Sequence, residues 1–394
     1  MANALGWRTI PIELLGRPSG PTRAPRLDGE IDPQESARVQ ALRGIACLLL
    51  VAFHAIGASA ESGLRVSDDS PWRTFTNLVV HLRMPLFTFL SGFVYGLRPL
   101  GPGQVGEFSG KKLRRLGVPL IVATTVLYGL HTAMHHPVPS LSHAWTIYLF
   151  PYWHLWFVQA LLIVFAVLVV LESIGALSTF SRFVVVLALA VALYFAAPFQ
   201  ARNVFSCYSA SYLLPFFLCG LGAHRFHGIV QSRRALMATV LCFVLAQGLH
   251  AYLVLTRTMA PIEPVDHRSL LNLAIGVSAG LGALQLLPRA RVMERIGGSS
   301  YAIYLYHPVF VAAVLFAIGA HAAGARGLSF IAAAIAGIAG PMLMRQVAGY
   351  IPGGRLLLEG RSAAGRVHTG TLRVVGEPVP TEVGRPGSAR SGRG

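Results

Sequence analysis

Ten apolar stretches, each long enough to cross a bilayer, follow one another between residues 39 and 349, and any fold of this chain has to satisfy them first. Their approximate limits are 39–60, 75–97, 116–134, 154–172, 180–198, 207–224, 235–255, 269–288, 299–318 and 328–349. In hydrocarbon no backbone amide can be left to water, so a chain of this pattern folds as helices whose hydrogen bonds close within each segment. Composition agrees: of 394 residues 54% are hydrophobic and 12% charged, with mean hydropathy +0.58. A soluble domain carries about twice that charged fraction. The expected fold is therefore all-α, a polytopic membrane protein of about ten transmembrane helices. The third stretch is short, and the sixth contains Pro215 among small polar residues.

The flanks differ in kind. Residues 1–37 carry Gly, Pro and both charge signs without apolar periodicity and read as a flexible tail; residues 351–394 form an Arg/Gly/Pro-rich, disordered tail with too few apolar residues for a core. The membrane domain is expected over 38–350. No early apolar core precedes a small-residue cleavage site, so no signal peptide is expected. The formal net charge of +17 suggests nucleic acid at first sight, but its placement argues otherwise. Arg98, Lys111, Lys112, Arg114 and Arg115 share one short loop, Arg225, Arg233 and Arg234 another, and Arg289, Arg291 and Arg295 a third. The alternate loops are poor in cations, and 135–153 has no lysine or arginine at all. Arginine and lysine accumulate on the cytoplasmic side, so a multi-pass protein of the cell (inner or plasma) membrane with both termini cytoplasmic is expected. The four cysteines lack metal-ligand spacing and read as packing residues.

Within the first stretch, RVQALRGIACLLLVAFHAIG, an ionisable residue sits where apolar ones are the rule. His54 lies near the middle of that span and Arg43 near its end. An ionisable group at such depth is a functional candidate. Eleven residues of helix separate them, about three turns and roughly 16 Å, so they share a face. A snorkelling arginine and a structurally hydrogen-bonded histidine would look the same from this helix alone. No acidic residue lies within a turn of His54, so an orienting partner has to come from elsewhere, with Asp68, Asp69 and Glu294 as candidates.

Other segments add polar groups at depth. HLRMPLFTFLSGF places Arg83 inside the second span, where it requires a wet cavity or a negative group, and Ser91-Gly92 farther along, a pair that reads first as a helix-packing site and second as a substrate contact. GKKLRRLGVP concentrates cations before the third span, which either sets orientation or binds an anion such as phosphate. PYWHLWF opens the fourth span with an aromatic group that includes His154 and Trp156, either an interfacial belt or a platform for a sugar or acyl chain. GGSSYAIYLYHP brings Tyr304 and His307 three apart, read as a structural hydrogen-bonded pair. His131, His135, His136 and His143 lack cysteine or carboxylate partners at ligand spacing, and no metal is expected.

Four blocks in this order, LRGIACLLLVAFHA, RMPLFTFLSGF, HLWF and SSYAIYLYHP, resemble the acyltransferase-3 family of integral-membrane enzymes, over roughly residues 39–350. The resemblance implies acyl-CoA, acetyl-CoA foremost, as donor substrate, no bound cofactor, and His54 as catalytic base with Arg43 essential. It also implies a cationic pair three apart before the third span, here Lys112 and Arg115 beside Arg114, at the donor's phosphates. Lysine at that position keeps the charge but loses the bidentate fork of arginine. Arg83, Ser91, Trp156, Tyr304 and His307 would support the acceptor side. The implied partners are the lipid bilayer, acyl-CoA and a glycan or glycolipid whose hydroxyl is acylated, with no nucleic acid. A small secreted glycoside or macrolide as acceptor, or a proton-coupled transporter or flippase using His54 as relay, are the alternatives.

Overall fold

A computed structural model describes residues 33–361, except 102, 198–199, 231, 258–267, 289 and 320–322. Among the described residues the regular structure is helical. In chain order the helices are α1 (Pro33–Ile56), α2 (Pro71–Leu78), α3 (Val80–Leu97), α4 (Val105–Lys112), a π-helical turn (Leu113–Gly117), α5 (Val118–Ala133), α6 (Thr146–Leu149), α7 (Trp156–Ser173), α8 (Phe180–Ala196), α9 (Cys207–Arg225), α10 (His227–Val230), α11 (Arg233–Leu255), α12 (Leu270–Leu286), α13 (Arg291–Gly298), α14 (Ser300–Ile318), α15 (Arg326–Ala348) and α16 (Gly354–Glu359). Apolar helices occupy all ten expected stretches. Among the described residues eight segments are long and apolar enough to cross a membrane, while α8 and α12 are shorter, at 17 residues each.

Burial separates the helices into a centre and a rim. In the most apolar 18 residues of each span, the spans ending in α3 and in α9 keep 67% buried, against 11% for α11 and 22% for α15. The centre is made by small residues. At the α3–α9 crossing a methyl group on Gly92 would overlap the carbonyl of Phe217, and one on Gly220 would overlap that of Phe89. The SGF block is thus first a close approach of two backbones, which supplies the packing that membrane helices cannot obtain from a hydrophobic effect. Ser91 donates to the Phe87 carbonyl one turn back at 2.8 Å, leaving its hydroxyl committed to its own helix. The α1–α13 crossing is built alike, with Gly44 against Met293 and Gly297 against Gln40.

The arginine-rich loops gather at one end of the bundle. There Glu172 accepts from Arg225 at 2.6 Å and from the Tyr95 hydroxyl at 3.1 Å. An open cavity of about 640 Å³ is lined by Glu35, Arg38, His224, His227 and Gln285 among others. Folded structure also runs past residue 350, where the composition suggests only a tail. α16 lays its Leu358 and Glu359 into the protein, Glu359 pairs with Arg345 at 2.6 Å, and Gly360, at φ +63°, packs against the backbone of Arg114 and Arg115.

At the opposite end α1 stops early. Gly57 at φ +103° turns the chain out of the helix, and the orphan carbonyls of the last turn find donors: Leu64 N–H reaches those of Ala55 and Ile56 at 3.1 Å each, and the Arg73 guanidinium donates to that of Gly57. Leu64 and Val66 of the following loop are fully buried over this end. A cation at a helix C-terminus also complements the helix dipole.

Candidate active site

Because α1 begins at Pro33, Arg43 stands well inside the helix and His54 in its last turn, the reverse of the depths expected from the apolar stretch alone. His54 is nonetheless central in the bundle, since its neighbour His307 lies well short of either end of α14.

His54 Nδ1 lies 3.0 Å from the Leu50 carbonyl and 3.0 Å from His307 Nε2. His307 Nδ1 in turn faces two carbonyls, those of Ile303 at 2.7 Å and Tyr304 at 3.0 Å. A carbonyl can only accept, so His307 carries its proton on Nδ1 and presents a lone pair at Nε2. His54 Nδ1 then confronts two acceptors and holds the proton that serves both. The basic nitrogen of His54 is therefore Nε2. The third ring of the group is His154, whose Nε2–H donates to the Leu305 carbonyl at 3.1 Å. Ring centroids lie 4.6 Å apart for His54–His307, 5.9 Å for His54–His154 and 5.5 Å for His154–His307. Among the described residues no group of three or more His, Cys, Asp or Glu side chains is disposed to hold a metal ion.

These contacts revise several sequence readings. The orienting partner of His54 is an imidazole and not a carboxylate: Asp68 pairs with Arg73 at 3.4 Å and Asp69 with Arg257 at 2.9 Å. Tyr304 and His307 do not pair through their side chains. The Tyr304 hydroxyl donates to the His154 carbonyl, which pins the turn that carries His154 to α14. Trp156, read as an interfacial aromatic, is 8% exposed in the core, while its neighbour Trp153 is 58% exposed. His154 was visible only as one member of an aromatic run, and its part in the histidine group depends on the HLWF block meeting α14.

Toward the basic end, the other residues of interest converge. Arg43, Lys112 and Arg115 interact electrostatically: Arg43 with Arg115, and Lys112 with both. The Lys112 ammonium lies 3.8 Å from the ring centre of Phe165 and 5.3 Å from that of Phe108, the cation–π arrangement that holds a desolvated cation. Arg114 and Arg115 belong to the π-helical turn, a device that re-aims side chains and is frequent at functional sites. Among the described residues Arg43 makes no hydrogen bond or ion pair. Among the described residues these three cations of like sign are grouped with one carboxylate nearby, that of Glu359 near Arg115.

One helix, α1, thus carries both Arg43 of the cation group and His54 of the histidine group. The chain matches the acyltransferase-3 family, described as an acyltransferase domain, over residues 36–345. No match was found among curated proteins or among solved structures. With the match spanning most of its length, the chain belongs to the acyltransferase-3 family and is a membrane acyltransferase.

Proposed function

We propose that this acyltransferase moves an acyl group, acetyl foremost, from cytosolic acyl-CoA to a hydroxyl of a glycan or glycolipid, with both termini and the arginine-rich loops on the cytoplasmic side of the cell membrane. The observation that carries the reading is the fixed tautomer of His54, with Nδ1–H committed to Leu50 and His307 and Nε2 left as the base. Arg43, Lys112 and Arg115 would take the donor's phosphates. The roughly 16 Å of helix between Arg43 and His54 is of the right order for the pantetheine arm that places the thioester beside the histidine.

In the reaction His54 Nε2 accepts the proton of the acceptor hydroxyl while its oxygen bonds to the thioester carbonyl carbon. The tetrahedral intermediate then expels the CoA thiolate as the C–S bond breaks, and the thiolate takes the proton back from Nε2. Ester and free CoA leave, and the enzyme returns to its starting state. While His54 is an imidazolium, its Nδ1–H···Nε2 bond to His307 becomes charge-assisted, the service that a carboxylate renders in other catalytic histidine pairs.

Mass spectrometry of surface glycans and glycolipids, with and without the gene, tests the reading. A lost acyl mass, restored by the wild-type chain and not by His54→Gln, is expected. Restoration by the glutamine variant would overturn the role of His54, because an amide cannot accept and return a proton at neutral pH.

A further inference from the structure

Beside Phe53, on the α3 side of α1, a buried cation stands without the anion that its depth demands. Arg83 is 4% exposed and its guanidinium lies 3.6 Å from the centre of the Phe53 ring. Its Nε is sealed from solvent without an acceptor, and among the described residues it makes no hydrogen bond or ion pair. A single aromatic face offsets only part of the hydration that a guanidinium loses. Its electrostatic neighbours are His54 and Tyr212.

Tyr212 leads to a second unmet group. The Asn272 side chain, fully buried, donates from Nδ2 to the Tyr212 hydroxyl at 3.1 Å and to the Tyr194 hydroxyl at 3.1 Å, whereas its Oδ1 is enclosed without a donor. The cation lacking an anion and the carbonyl oxygen lacking a donor lie on either side of the α3–α12 contact, where Gly276, one turn past Asn272, meets Pro85, two residues past Arg83. Their helices cannot slide to pair them off, because Gly276 of α12 lies against Pro85 and Gly280 against Phe89 of α3. Buried polar atoms in a rigid frame are otherwise satisfied, and a ligand with both complementary groups would satisfy these.

We propose that Arg83, Tyr212 and Asn272 form a subsite for an anionic, hydroxyl-bearing part of the acyl acceptor, with a carboxylate or phosphate on Arg83 and a hydroxyl donating to Asn272 Oδ1. The word acceptor rests on the acyl-transfer reading of His54; the preference for an anion rests on Arg83 alone. A neutral sugar would leave the guanidinium as it stands, whereas an acidic sugar or a sugar phosphate neutralises it next to the base.

The test is a binding measurement on the full chain in lipid nanodiscs, following thermal stability against sodium glucuronate, glucose 1-phosphate and glucose at matched ionic strength, with CoA as a separate ligand. The wild type should gain stability saturably with one or both acids and not with glucose, the stronger acid showing whether a carboxylate or a phosphate is the native group. Arg83→Gln should abolish the acid response while keeping that to CoA, which shows the variant folded. Arg83→Lys, which keeps the charge should the glutamine variant fail to fold, should weaken the response without removing it. Asn272→Ala should raise the half-saturating concentration about tenfold, the worth of roughly one hydrogen bond to a buried group. No acid response in the wild type, an equal response to glucose, or an acid response surviving in folded Arg83→Gln would overturn the proposal. Because no turnover is measured, failure of the acyl-CoA chemistry would leave this result standing.

Discussion

The two ends of the Arg43–His54 axis are built on opposite principles. The cations at the basic end are long side chains, with Arg114 and Arg115 exposed and Lys112 leaning on aromatic rings. The partner proposed for them is a charge, and Coulomb attraction tolerates changes of an ångström or of residue type. The histidine group is short and fixed by carbonyls of its own helices, with His307 fully buried. The role proposed for it depends on which nitrogen holds a proton, and a tautomer is either right or wrong. Substitutions at the first end should therefore grade affinity, and those at the second should switch chemistry.

The largest effect is expected at His54. His54→Ala should lower acyl transfer by about two to four orders of magnitude, the usual worth of general base catalysis, with CoA affinity unchanged in a binding assay. Loss of CoA binding along with turnover would erase the division between the two ends.

His307 comes next and sharpens the comparison, since it would act through His54. His307→Leu should cut kcat by roughly ten- to a hundredfold, as losses of orienting partners commonly do, with KM for acyl-CoA unchanged. His307→Gln can still accept at its amide oxygen from His54 Nδ1 and should recover part of that loss. A merely structural histidine would instead lower yield and melting temperature, with the glutamine variant no better than leucine.

At the basic end, Lys112→Glu with Arg115→Glu should raise KM for acyl-CoA by about ten- to a hundredfold, the range of one or two charge-assisted hydrogen bonds, with kcat nearly intact. Raised salt should weaken wild-type binding in the same direction. Normal KM in a correctly inserted double variant would remove these residues from the donor site.

What the sequence makes readable follows the range of the interaction involved. The helices were legible because hydrophobic stretches are local, and the Arg43–His54 spacing because one helix carries both. The cation group was readable in part, since Lys112 and Arg115 are neighbours in sequence and family resemblance joined them to Arg43. The His54–His307 bond spans 253 residues and has no local trace. A search for carboxylates pointed to Asp68, Asp69 and Glu294; arginines of their own end occupy the first two, and Glu294 lies in α13, which packs on the Arg43 half of α1. Ser91-Gly92 reads as a packing site from composition, and the reciprocal approaches of Gly92 to Phe217 and of Gly220 to Phe89 account for it. α16 escaped because six residues of helix amid glycines resemble a tail until Glu359 meets Arg345.

Glu359 gives the smallest expected effect and bears on the cation group most directly. Its side chain is 6% exposed, pairs with Arg345 Nε at 2.6 Å and lies 3.8 Å from Arg361 Nε. It also attracts Arg115 electrostatically. A carboxylate there has two opposed consequences. It holds α16 to α15 through Arg345, whose guanidinium also donates to Ser299 at 3.1 Å, and it lowers the positive potential that a phosphate would meet. Glu359→Gln removes the charge and keeps the shape. The half-exposed Arg345 can turn to water, so the stability loss should be about 1–3 kcal/mol, that of one charged hydrogen bond. The cation group, relieved of one negative charge, should bind acyl-CoA up to about threefold more tightly, of the order of one screened surface interaction. Stability and donor affinity should then move in opposite directions in a single variant. If affinity falls instead, the carboxylate serves mainly to aim Arg115, and the basic end depends on geometry as the histidine group does.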